Sequence, residues 1–125
     1  LLVGVVPDAG AQSLLETATA ISALAERAKS RSLTRDEMTG QTFTISNIGA
    51  VGGGHGTPLI PYGTTAILSV GRASETAVVR HGELAVGTVA PLSLSYDHRV
   101  VDGAVGRRFM ALVVENLEEP ALFLA

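Results

Sequence analysis

His98 is the residue of this sequence whose surroundings most suggest chemistry. It closes an apolar run in SLSYDHRVVDG, Ser93 to Gly103, and Asp97 and Arg99 flank it. Asp102 follows in the spacing HxxxDG. An imidazole titrates near neutral pH and can act there as a general base. To do so it needs a partner that fixes its tautomer, and access to a substrate. Asp102 could supply the first directly, or indirectly by pairing with an arginine and holding the turn in shape. The plainer reading is a polar turn with a surface histidine, and HxxxDG alone leaves both open. Asp97 and Arg99 fit an ordinary solvated pair within the turn.

Ser46 is the second candidate. It ends the TFTIS run, just before a glycine-rich loop. A nucleophilic serine would call for G-x-S-x-G at a strand-to-helix elbow. The flanks here are Ile45 and Asn47, so that pattern is absent. Its hydroxyl could still donate a hydrogen bond to a developing oxyanion. A plain strand-end serine is the alternative.

The loop GAVGGGHGTP has neither G-K-[ST] nor a G-x-G-x-x-G opening a helix, so it does not read as a phosphate cradle. Close approach of backbones explains its glycines better. His55 and His81 fall in turns with no metal-ligand spacing, and no metal is expected.

Composition narrows the classes further. With 46% hydrophobic and 17% charged residues the 125-residue chain is globular, and it is long enough for a core. Aromatics are only 4%, so that core must be built from Val, Leu, Ile and Ala. A net charge of −3 with scattered basic residues argues against nucleic-acid binding. The lack of cysteine excludes disulfides, thiolate metal sites and a cysteine nucleophile. No apolar run is long enough to cross a bilayer, and no membrane partner is expected. The opening LLVGVVPDAG, strand-like and without an initiator methionine, suggests that something upstream has been removed.

These candidates need elements to hold them. Leu1 to Val6 reads as a buried strand closed by Pro7-Asp8. Ser13 to Ser30 reads as a helix, with Leu14, Ala18, Ile21, Ala25 and Ala28 on one stripe, Leu15 and Leu24 widening it, and a Ser13/Glu16 capping box. Leu33 to Met38 suggests a short helical turn ended at Gly40. Strands are expected over Thr42 to Ile48, Thr64 to Val70 and Val89 to Tyr96. A hairpin pairs Thr76–Val79 with Leu84–Val86 across RHGE. Gly103 to Leu117 reads as a helix capped by Asp102, with Val105, Phe109, Leu112, Val113 and Asn116 along one side. The order of elements suggests an α/β or α+β fold with a mixed sheet.

Three segments together resemble one known family. LSLSYDHRVVDG is similar to the signature of the dihydrolipoamide acyltransferases, the E2 components of 2-oxo acid dehydrogenase complexes. LTRDEMTGQTFTISNIGAVGGG resembles that family's TFTISN segment and its run-in, and ENLEEPALFLA resembles its C-terminal end. The resemblance covers essentially the whole chain, in order. It implies a chloramphenicol acetyltransferase-like fold, a mixed sheet with packed helices. It also implies that residues 1–125 are the C-terminal half of a catalytic domain, with its N-terminal half, a subunit-binding domain and lipoyl domains upstream.

The activity so implied is transfer of an acyl group between dihydrolipoamide and coenzyme A. The lipoyl group would be attached on another domain, and the residues binding coenzyme A stay unknown. His98 would be the base, Ser46 the oxyanion donor, and Asp102 a holder of the active-site geometry. A neutral histidine suffices to activate a thiol, so no metal is required. The resemblance further implies a homotrimer and a larger cubic core, with the active site between two subunits. E1 and E3 components would be partners through other domains. Localisation would be cytoplasmic in a bacterium and the mitochondrial matrix in a eukaryote. SNIGAVGG leans towards the branched-chain members. Three rival readings stand beside this one: a condensation or BAHD-type HxxxDG acyltransferase, a core-forming fragment without activity, and a serine hydrolase.

Overall fold

A computed structural model describes residues 2–124 of the chain, and side chains over residues 2–122. The chain divides into two compact units, residues 1–42 and residues 43–125.

The first unit is built around helix α1, Leu14–Lys29. Its start is the capping box that the sequence signals. The Ser13 N–H donates to Glu16 Oε2 at 2.8 Å, and the Glu16 N–H donates back to Ser13 Oγ at 3.3 Å. Each bond satisfies a donor that the first helical turn leaves open. These Ser13 bonds also hold the Glu16 carboxyl below its usual range. The inward face keeps only Leu24 and Ala28 of the expected stripe. Leu14 is 89% exposed and Ile21 54%, while Thr17, Ala20, Leu24 and Ala28 are half-buried. The backbone at Gly4 lies against Leu24 and selects that side.

The strand expected over residues 1–6 does not form within Leu2–Val6, and Leu1 lies outside the described residues. A strand needs a ladder partner along its length. Here only Val5 finds one, its N–H donating to the Glu37 carbonyl at 2.8 Å. Asp36–Met38 forms a short 3-10 turn. Glu37 pairs with Arg27 and accepts from the Thr34 N–H at 2.9 Å. The Thr34 bond is the main reason its carboxyl titrates low.

The second unit holds two sheets. The first has the order β1-β2-β5, from β1 (Thr44–Asn47), β2 (Ala66–Val70) and β5 (Leu92–Tyr96). β1 and β2 are parallel, and β2 and β5 antiparallel, so the sheet is mixed as expected. The central strand carries the core, with Ile67, Leu68 and Ser69 all buried. Pro91 stands before β5 instead of within the strand, where its missing N–H would cost a ladder bond.

The other sheet is the expected hairpin, longer than its apolar residues indicated: β3 (Ser74–Arg80) and β4 (Glu83–Val89). His81 and Gly82 turn it with φ of 53° and 83°, the two-residue geometry that suits strand twist.

Helix α2, Gly103–Glu118, packs on β5. Its closest approach is Gly106, which is buried against the ring of Tyr96. A Cβ there would stand 2.8 Å from Tyr96 Cε1. Of the expected side, Val113 and Asn116 are half-buried, whereas Val105, Phe109 and Leu112 are 43%, 39% and 58% exposed; Met110, outside that side, is half-buried as well. The glycine at position 106 lets the helix lie close against Tyr96. Among the described residues no helix is long and apolar enough to cross a membrane.

Candidate active site

The register of the sheet places Ser46. It pairs with Ser69, and Ser69 pairs with Ser93, so three serines form one row on one face. Ser46 is half-buried on the edge strand β1 and Ser69 is buried at the centre. The loop after β1 is anchored directly beyond this row. Arg72 donates from its backbone N–H to the Gly53 carbonyl at 2.7 Å and from Nε to the Gly49 carbonyl at 3.0 Å. Gly71 meets the Gly54 carbonyl so closely that a Cβ would overlap it. The glycine loop is therefore a place of close backbone approach, as its composition suggested.

His98 is held by its neighbours. The Asp97 N–H donates to the Thr65 carbonyl at 2.8 Å, which extends the β2–β5 pairing by one step. The Asp97 carbonyl then accepts from the N–H groups of Val100 and Val101, at 3.0 and 2.9 Å, and closes the turn. The Asp97 carboxylate grips Arg99, accepting from Nη2 at 2.6 Å, from Nε at 3.0 Å and from the backbone N–H at 3.0 Å. The charges beside His98 thus satisfy one another, and the imidazole stands exposed between them.

The Arg99 side-chain bonds pull the Asp97 carboxyl from 3.8 down to about 2. A carboxyl lowered in the folded chain adds stability above its unfolded pKa. That contribution is lost as pH falls from about 3.8 towards 2. Acid titration followed by circular dichroism should show a component in this window, and Asp97→Asn should remove it.

Among the described residues Asp102 makes no hydrogen bond or ion pair with His98. It caps α2, where the Val105 N–H donates to its Oδ1 at 2.8 Å. Its side chain pairs with no arginine among the described residues, so neither route from Asp102 to the imidazole is made. It acts on the site by fixing where the helix begins. Asp102→Ala should cost about 1 kcal/mol, read as a lower denaturation midpoint, whereas Asp102→Asn should keep the cap.

The sequence reading passed over Tyr96. Its ring lies beside the His98 ring, centroids 5.8 Å apart and tilted by 40°. The signal was available, because residues two apart along an extended segment share a side.

His98 and Ser46 are not brought together. Ser46 lies in the row of Ser93, whereas Tyr96, three residues further along β5, is on the opposite face. Crossing from β1 to β5 takes two strand spacings, about 10 Å, and Ser93 to Tyr96 adds about 10 Å along the strand. One tetrahedral centre needs donor and base each within about 3 Å of its reacting atoms. A single copy therefore cannot present both residues to it.

A curated relative from Staphylococcus aureus is 44% identical over 124 residues, spanning 99% of this chain and 29% of that protein. It is the dihydrolipoyllysine-residue acetyltransferase component of pyruvate dehydrogenase complex. The solved dihydrolipoamide acetyltransferase of Azotobacter vinelandii superposes with a TM-score of 0.94 at 40% identity, over 99% of this chain and 51% of that one. That structure was used to investigate the role of a serine, a histidine and an asparagine in its catalytic mechanism. The cubic core of the pyruvate dehydrogenase multienzyme complex gives a TM-score of 0.94 at 39% identity, over 99% and 51%. The chain thus spans less than a third of the curated relative and about half of each solved chain. The mixed sheet with its packed helix is the fold of these acyltransferase cores. Residues 1–125 match the family of 2-oxoacid dehydrogenases acyltransferase (catalytic domain), and the chain belongs to that family.

Proposed function

We propose that this chain contributes to an active site that moves an acetyl group between coenzyme A and dihydrolipoamide, with His98 as general base and Ser46 as oxyanion donor. Coenzyme A and the lipoyl group both enter as substrates. The His98 imidazole takes the proton of the attacking thiol. The thiolate adds to the thioester carbonyl carbon, and the carbonyl electron pair moves onto oxygen. The Ser46 hydroxyl donates to that oxyanion. When the intermediate collapses, the departing thiolate takes the proton back from the imidazolium. One C–S bond forms and one breaks, and the reaction runs in either direction.

The observation that carries this reading is the placement of the two residues. His98 is exposed on a turn that follows β5 and is held by Asp97, and Ser46 stands at the other end of the sheet, on the face opposite Tyr96. A site using both must draw them from two copies, which fits the homotrimer and cubic core proposed here. In the Azotobacter vinelandii protein the serine and histidine are separated by the same number of positions as Ser46 and His98. Its asparagine follows the histidine at the interval at which Asp102 follows His98. Asparagine and aspartate cap helices equally well, which supports a positioning role for Asp102. E1 and E3 components are proposed partners through segments other than this one.

The relatives favour acetyl over the branched-chain group that SNIGAVGG suggested. Transfer from acetyl- and isobutyryl-coenzyme A to dihydrolipoamide tests both points. Faster turnover of the acetyl ester supports the proposal. Preference for isobutyryl would move the chain to branched-chain substrates, and the absence of turnover with either ester would overturn the reading.

A further inference from the structure

We propose that Tyr96 is a positioning residue for His98, and that Gly106 of α2 sets it in place. The proposal rests on the role of His98 given above. Three observations carry it. The Tyr96 and His98 rings lie 5.8 Å apart and tilted by 40°, within the range of about 4.5–7 Å at which aromatic rings attract. His98 makes no side-chain hydrogen bond among the described residues, so no such bond orients its imidazole, and the Tyr96 ring lies beside it. The Tyr96 ring is itself clamped, because Gly106 lies against Cε1 and Cζ where even a methyl group would not fit.

These contacts form a chain of constraint. Asp102 fixes the first turn of α2, that turn places Gly106, and Gly106 seats the ring against which His98 rests. The bare α-carbon is needed because a Cβ at position 106 would stand 2.8 Å from Tyr96 Cε1, so a larger residue displaces the ring. Phe109 serves as an internal comparison. It lines the same small apolar pocket of about 210 Å³ as Tyr96, but pairs with Phe43, rings 5.7 Å apart, and not with His98.

The test uses Tyr96→Phe, Tyr96→Leu, Gly106→Ala and Phe109→Leu, with two readouts. The first is kcat and KM for acetyl transfer. A base displaced by about 1 Å can lose up to about 10²-fold in rate. Tyr96→Leu and Gly106→Ala should therefore lower kcat about tenfold or more with KM unchanged, and Tyr96→Phe should restore it. Phe109→Leu should lower the unfolding midpoint and leave kcat alone. The second readout needs no turnover: carbethoxylation of His98 by diethyl pyrocarbonate, followed by peptide mass spectrometry with His55 and His81 as references. Tyr96→Leu should raise the His98 rate several-fold and Tyr96→Phe should not. Tyr96→Leu without effect on either readout, or Phe109→Leu matching it in both, overturns the proposal. Absence of turnover in the parent chain overturns the proposed function instead, and carbethoxylation alone then decides the role of Tyr96.

Discussion

Replacing His98 with alanine should lower acetyl transfer about 10²–10⁴-fold, the range that a general base contributes. The loss should fall on kcat, because His98 is exposed at a turn and its imidazole braces no other side chain through hydrogen bonds among the described residues. The fold around it should survive. The turn is held by the Asp97 backbone and by the Asp97–Arg99 pair, which do not involve the imidazole. An unchanged unfolding midpoint with vanished turnover is the expected pair of results. Turnover within tenfold of the parent would remove His98 from the mechanism, and a collapsed midpoint would make its role structural. His98→Gln makes a useful companion, because it keeps bulk and polarity against the Tyr96 ring while removing the titrating nitrogen.

Ser46→Ala should cost about 10²–10³-fold in kcat and leave KM near the parent value, because an oxyanion donor acts only once charge has developed. A matching rise in KM would point to a role in ground-state binding. The two variants together make a sharper experiment. Ser46→Ala chains keep an intact His98, and His98→Ala chains keep an intact Ser46. Each chain holds Ser46 at one end of the β1-β2-β5 sheet and His98 in the turn beyond the other, so a mixed assembly would contain some sites with both groups intact. Unfolding and refolding the two variants together should recover part of the activity that neither has alone. No recovery, with mixing verified by mass, would place both residues of one site in a single chain and contradict the geometry.

Much of this arrangement could be read from local signals. Ser13 with Glu16 and Asp102 with the following GAVGRRF are short-range hydrogen-bonding patterns, and both helix starts lie where they indicated. The alternation around Phe43 to Ile48 gave β1 within two residues, and RHGE gave the hairpin turn. Failures came where tertiary context decides. Leu2–Val6 has the composition of a buried strand but only a single ladder-like bond. The inward sides of α1 and α2 keep only part of the expected stripes, Leu24 and Ala28 in one and Val113 and Asn116 in the other; the close approaches at Gly4 and Gly106 carry no hydrophobic signal. At the site, the family signature pointed to Ser46, His98 and Asp102. It could not say that Asp102 bonds Val105 instead of the imidazole, or that Tyr96 lies beside His98. Those facts depend on how a strand end, a turn and a helix start converge.

The serine row at one end of the sheet and the histidine turn at the other have a consequence for how such a protein tolerates change. Under the proposed reaction no copy owns a complete catalytic apparatus, and the smallest working unit is a contact between two copies. Natural selection then acts on that junction as strongly as on the reacting groups. A substitution remote from Ser46 and His98 that loosens the junction would silence the site it supports while leaving every individual fold intact. Such a lesion would be invisible to any assay of the isolated chain's stability and plain in its specific activity on dilution.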